Sequence, residues 1–134
     1  MIINFFIQDP NVGALTKYSN DRKVNRKNDH KITVMRLRGK VAIVTGGAKG
    51  IGRAYSIGLA KEGAKVCIAD IDFDAAKMVS DRIIEAGGEA LPVRVDVSDE
   101  KEVEMMAKAC YERFGSIDIL INNAAYYIQT KRGP

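Results

Sequence analysis

Thr45-Gly46-Gly47-Ala48-Lys49-Gly50-Ile51-Gly52 concentrates glycine where a chain would have to turn sharply and approach another group through its backbone. Glycine adopts positive φ without a Cβ clash, and a backbone that touches a phosphate has no room for a side chain. Gly46, Gly50 and Gly52 therefore mark a phosphate-cradling turn, on the condition that a strand precedes it and a helix follows. The unbonded N–H groups of that helix would face the anion. A run of the Gly-x-x-x-x-Gly-Lys-Ser/Thr kind, which would hold a nucleoside triphosphate, does not occur.

Asp70 lies eighteen positions after Gly52, near the spacing at which a carboxylate ending the next strand bonds the ribose hydroxyls of a dinucleotide. Its charge would repel a 2′-phosphate, so the residues favour NAD over NADP. Lys49 pulls the other way, because a cation beside the phosphate loop is able to pair with a 2′-phosphate. Asp70 takes precedence, since its expected place is the ribose itself.

The elements that must position these groups are legible as alternating strands and helices. Val41-Ala-Ile-Val44 is a continuous apolar run of the kind buried on both faces of a parallel sheet. A helix is expected from Gly50 to about Glu62, with Ile51, Tyr55, Gly58 and Leu59 on one inward face and Gly63 as its left-handed end. Lys65 to Asp70 reads as a second strand. Asp72 is expected to cap a second helix, with Ala75, Val79, Ile83 and Ala86 inward and Gly87-Gly88 closing it. Leu91 to Val95 reads as a third strand. Ser98 is expected to cap a third helix whose buried side is Val103, Met106, Ala107, Cys110 and Phe114 and whose end is Gly115. Ile119-Leu-Ile121 reads as a fourth strand. Buried strands separated by amphipathic helices predict an α/β fold, a Rossmann-type doubly wound parallel sheet, truncated after the fourth strand.

With 134 residues the chain has room for one domain at most. Its charged fraction of 28% and apolar fraction of 46% are those of an ordinary globular protein. The net charge of +4 is uneven: residues 1–34 hold six Lys or Arg against three Asp, whereas the remainder holds fifteen basic and fourteen acidic side chains. Residues 1–34 accordingly read as a disordered basic arm or a misassigned start, and residues 35–134 as a partial NAD(P)-binding Rossmann domain. The near-neutral folded part argues against a nucleic-acid partner. No apolar run approaches the length of a membrane span, and the N-terminus lacks the pattern of a signal or transit peptide. Cys67 and Cys110 form no CxxC pair and sit among apolar neighbours, as reduced core residues of a cytoplasmic protein do. His30, the single histidine, has no companions for a metal site.

Thr45-Gly-x-x-x-Gly-x-Gly52 followed by Asn122-Asn-Ala-Ala125 resembles the paired motifs of the short-chain dehydrogenase/reductase family, over about Leu37 to Ala125. Asp96-Val97 resembles that family's adenine-contacting step. The resemblance implies that Gly46, Gly50, Ile51 and Gly52 hold a pyrophosphate, that Asp70 binds the adenosine ribose, and that Asp96 and Val97 contact adenine. It further implies that Asn123 and Ala124 pass beside the middle of the cofactor. Ala125 departs from the family's glycine at that place, a mild change. The implied activity is hydride transfer between a nicotinamide cofactor and a small-molecule alcohol or carbonyl.

That chemistry also needs a serine and a Tyr-x-x-x-Lys pair well beyond the second motif, and Pro134 comes before them. Tyr127 and Lys131 match the spacing but lie two residues past Ala125 with no helix to fix them, so they are not read as catalytic. The expected product is an incomplete chain without catalytic turnover, the alternative being a non-catalytic dinucleotide-binding fragment or pseudogene product. Subunit assembly is expected only of a full-length protein. Ile119–Ile121 is expected to form an unpaired apolar sheet edge, with poor solubility as the consequence.

Overall fold

The computed structural model describes residues 5–7 and 35–125. In chain order these form β1 (Phe5–Ile7), β2 (Val41–Thr45), α1 (Gly50–Lys61), β3 (Lys65–Asp70), α2 (Phe73–Glu85), β4 (Ala90–Arg94), α3 (Glu100–Phe114) and β5 (Ile119–Asn122). The spatial order is β1-β5-β2-β3-β4. Strands β4, β3, β2 and β5 are parallel, and β1 joins β5 antiparallel. The chain thus steps outward from β2 to β4, then crosses back to the other side of β2. That reversal opens a crevice at the carboxyl ends of β2 and β5, where open α/β sheets bind ligands.

Alternation along the central strands sends side chains to two separate cores. Ala42, Val44, Val66, Ile68, Ile119 and Ile121 face α1 and α2. Val41, Ile43, Cys67 and Ala69 face α3, where they meet Met106 and Cys110. All five residues of β2 are buried, as befits a strand covered on both faces. The doubly wound parallel sheet expected from the sequence is therefore present.

Four local expectations need correction. First, Ile51 is 54% exposed, and the residues that α1 buries are Gly52 and Ser56. Ser56 is admitted to the core because its hydroxyl donates to the carbonyls of Gly47 and Gly52. Second, α2 buries Ala76 and Ser80 along with Val79 and Ile83, whereas Ala86 is exposed. Third, Asp99 caps α3, accepting from the amides of Lys101 and Glu102, while Ser98 turns back to donate to Asp96. Fourth, the outer edge of β5 is paired: Phe5, Phe6 and Ile7 stand opposite Ile121, Leu120 and Ile119. An open edge carries unsatisfied N–H and C=O groups, and a short antiparallel strand satisfies them. Residues 8–34 lie outside the described residues, and with them most of the expected basic arm.

Candidate cofactor site

The turn after β2 is built so that side chains are excluded from it. Gly46 has φ of 61°, and a Cβ there would come within 3.0 Å of the Ala124 Cα. At Gly47 a Cβ would come within 2.7 Å of the Val44 carbonyl, and at Gly52 it would overlap the Gly46 carbonyl. Gly50 has open space around it, and its requirement is conformational, with φ of 53°. Gly47 thus carries a steric demand like those of Gly46 and Gly52, although the sequence did not single it out. Nothing in the spacing distinguishes it, because its constraint comes from the Val44 carbonyl together with Ser56 and Ile68, which folding brings against it.

This turn is clasped to the end of β5. The Thr45 hydroxyl donates to the Ile121 carbonyl and accepts from the amides of Asn123 and Ala124 at 3.1 and 3.2 Å. The Asn123 side-chain amide donates to the Gly46 carbonyl at 3.1 Å. Asn123 therefore fixes the loop. At the opposite end of the sheet, Asp118 accepts from the Val41 amide at 2.8 Å and sets the same two strands in register. Thr45 and Asp118 escape sequence reasoning, since each acts across more than seventy residues.

Helix α1 differs from its neighbours at its amino end. Asp72 caps α2 and Asp99 caps α3, and acidic residues follow in the first turn of each. Lys49 at the head of α1 makes no capping bond, and no acidic residue follows. The first intrahelical bond is from the Arg53 amide to the Lys49 carbonyl. The amides of Gly50, Ile51 and Gly52 thus lie at a helix end whose partial positive charge is left uncompensated, which suits an anion.

Asp70 ends β3 and is only 9% exposed. Its carboxylate accepts from the Ala48 amide at 3.1 Å and the Asp72 amide at 3.0 Å, tying the glycine turn to the start of α2. Each oxygen retains a further acceptor position. Lys49 reaches away from the turn to Asp72, with Nζ–Oδ2 of 2.6 Å. The hydrogen bond from Lys49 and that from the Ala75 amide hold the Asp72 carboxyl below the usual range, and the same Asp72 contact raises Lys49. Asp96 follows β4. The Ser98 hydroxyl and amide hold its carboxyl below the usual range. Its own amide donates to Glu102 at 2.7 Å, and Glu102 also pairs with Arg94.

These pieces meet around one crevice of about 210 Å³. Gly46 and Ala124-Ala125 form one wall, and Asp70-Ile71 with Val95-Asp96-Val97 forms the other. The structure brings Gly46, Asp70, Asp96, Val97 and Ala124 together there. Gly50, Ile51 and Gly52 stand at the head of α1, and Lys49 is drawn off towards Asp72. A larger hollow of about 850 Å³, edged by Arg38, Lys61 and Arg82, lies at the opposite end of the strands and contains none of the glycine turn. Among the described residues no group of three or more His, Cys, Asp or Glu could hold a metal, and no helix is long and apolar enough to cross a membrane. Tyr127 and Lys131 fall outside the described residues.

Known proteins are similar to this chain in sequence and fold. The family model for short chain dehydrogenase matches residues 40–133. Sorbitol dehydrogenase of Cereibacter sphaeroides is 44% identical over 93 residues, which are 69% of this chain and 35% of that protein. Galactitol 2-dehydrogenase of Agrobacterium fabrum is 47% identical over 93 residues, again 69% of this chain and 35% of that protein. A solved structure of 7 alpha-hydroxysteroid dehydrogenase, complexed with NADH and 7-oxo glycochenodeoxycholic acid, superposes with a TM-score of 0.63 at 41% identity. The superposition covers 66% of this chain and 34% of that one. The chain thus spans about 35% of the length of the curated relatives it matches. On the match over residues 40–133 and on the shared fold, the chain belongs to the short-chain dehydrogenase/reductase family of oxidoreductases.

Proposed function

We propose that the chain binds NAD in the crevice between Gly46 and Asp70, as the nucleotide-binding part of an oxidoreductase acting on a small-molecule alcohol or carbonyl. The observation that carries this reading is the glycine turn, sterically closed to side chains and clasped to Asn123-Ala124 by Thr45, beside a helix end with no acidic cap. In that reading the amides of Gly50, Ile51 and Gly52 hold the pyrophosphate, with Gly46 leaving room for it. Asp70 uses its remaining acceptor positions for the adenosine ribose hydroxyls. Asp96 and Val97 flank adenine, and Asn123 and Ala124 pass beside the middle of the dinucleotide. When bound, the nicotinamide cofactor supplies the hydride chemistry, and the protein supplies binding and orientation. The carboxylate of Asp70 and the diversion of Lys49 to Asp72 support NAD over NADP.

One observation favours a second reading, binding without turnover by the chain on its own. Among the described residues lining the crevice there is no Tyr, Ser or Lys, whereas acid–base work at a substrate oxygen needs a positioned proton donor. The thiols offer no substitute nucleophile. Cys67 and Cys110 are both free and buried in the core beneath α3, and neither lines the crevice. These reduced thiols support a cytoplasmic setting.

Titrating the chain with NADH, with its fluorescence as the binding readout, and separately mixing the chain with NAD and sorbitol or galactitol to follow reduction, separate the readings. Saturable NADH binding with reduction of NAD supports the oxidoreductase reading in full. Binding without reduction supports the second. No binding by folded chain contradicts both.

A further inference from the structure

Lys49 and Asp72 belong to different segments, and their contact has a consequence for nucleotide choice. Lys49 is the cation carried by the glycine turn, and its backbone is extended, with φ of −135° and ψ of 156°. Its ammonium reaches Asp72 Oδ2 at 2.6 Å while Asp72 Oδ1 accepts from the Ala75 amide at 3.1 Å. One carboxylate thus caps α2 and anchors the lysine. Asp70, two residues earlier, is held by the amides of Ala48 and Asp72. The turn and the β3–α2 junction are therefore joined by two polar contacts, from the Ala48 amide and the Lys49 ammonium, and the Asp72 amide links their two acceptors within the junction. Around the expected ribose position two carboxylates face one ammonium, a local charge of −1. A ribose with free hydroxyls is compatible with that charge, and a doubly charged 2′-phosphate is repelled unless the ammonium turns to meet it.

We propose that Asp72 is a specificity-determining residue: by holding Lys49 against the head of α2, it withholds from a 2′-phosphate the one cation of the glycine turn. This rests on the dinucleotide reading of the crevice and assigns to a neighbouring residue a role in which nucleotide it admits. Asp70 excludes the 2′-phosphate by its own charge, and Asp72 does so by engaging the countercharge. The pair is at the surface, with side-chain exposures of 67% and 40%, so salt weakens it and its effect is graded.

Adenosine 2′,5′-bisphosphate and AMP are suitable probes, because they differ only in the group in question and occupy the adenosine half of the crevice. Their dissociation constants are measured by calorimetry for the unmodified chain, D72N, D72S, K49A and the D72N/K49A double variant. Asn and Ser both retain an oxygen able to cap α2, and two replacements guard against a loss of folding in either. D72N and D72S are expected to tighten the bisphosphate by about tenfold, the scale of one charge-assisted contact, with AMP changed by less than about twofold. The gain is expected to shrink with added salt and to disappear in the double variant. An unchanged ratio of the two affinities in both single variants overturns the inference while leaving the nucleotide site intact. A gain that survives in D72N/K49A also overturns it, since the effect would then come from removing a negative charge rather than from releasing Lys49. Failure of AMP to bind the folded, unmodified chain contradicts the nucleotide reading itself, and the inference falls with it.

Discussion

The hydroxyl of Thr45 shows how much of this site depends on a single small polar group. It donates to Ile121 and accepts from Asn123 and Ala124, so the carboxyl ends of β2 and β5 are locked where the crevice opens. Gly52 is the steric counterpart. Gly52→Ala places a methyl group against the Gly46 carbonyl and the Asn123 amide. We expect it to destabilise the chain by about 1–3 kcal/mol, as overpacking does, and to weaken NADH binding by about tenfold or more. Urea unfolding and a fluorescence titration on the same preparation check the two effects. Acid has a defined signature at this scale. Asp72 is held below the usual range by Lys49 and the Ala75 amide, and Asp96 by Ser98. A carboxyl whose folded pKa is depressed contributes fully above its unfolded value of about 3.9 and loses that contribution as pH falls through the folded value. Lys49, raised by Asp72, contributes below about 10.4 and loses it as pH rises beyond. The thermal midpoint is therefore expected to be level between about pH 5 and pH 9 and to fall below about pH 4. A midpoint that rises on acidification below that point contradicts these assignments.

The helices reveal why some elements were legible in sequence and some of their faces were not. Gly63, Gly87 and Gly115 end α1, α2 and α3 as their places after the periodic runs led one to expect, and all three have positive φ. Asp72 likewise caps α2 as expected. The inward faces were harder. Apolar periodicity marks Ile51, yet α1 lies close to the sheet on Gly52 and Ser56, and α2 does so on Ala76 and Ser80. Close approach selects small residues, and their hydropathy does not announce burial. Ser98 and Asp99 are both good caps, and the choice between them follows from Asp96, which takes the Ser98 hydroxyl at 2.6 Å. Of the site, the glycine turn and Asp70 were readable from residue type and spacing, and the Asn123-Ala124 step only through the family resemblance. Gly47, Thr45, Asp118 and the Lys49–Asp72 pair were not, because each depends on a partner brought near only by folding. The cap assignment is testable. Asp99→Ala is expected to cost about 1 kcal/mol, measured by urea unfolding, whereas Ser98→Ala should leave stability nearly unchanged.

At the scale of the whole molecule, four parallel strands bring Gly46, Asp70, Asp96, Val97 and Ala124 to one crevice at their carboxyl ends, with a separate core on each face of the sheet. The exposed edge anticipated at β5 is instead covered by Phe5–Ile7. Proline has no amide hydrogen to donate and does not fit a regular strand. Phe6→Pro is therefore expected to open that edge and increase aggregation at concentrations where the unmodified chain stays dispersed, as dynamic light scattering would show. The short-chain dehydrogenase/reductase membership and the geometry of the crevice converge on one central claim, that this chain holds a dinucleotide through the Gly46–Gly52 turn and Asp70. Isothermal calorimetry with NADH, on chain shown to be folded by circular dichroism, tests it most directly. The account predicts saturable one-to-one binding that AMP competes away. Folded chain that takes up no NADH, or takes it up with no effect of AMP, would contradict it.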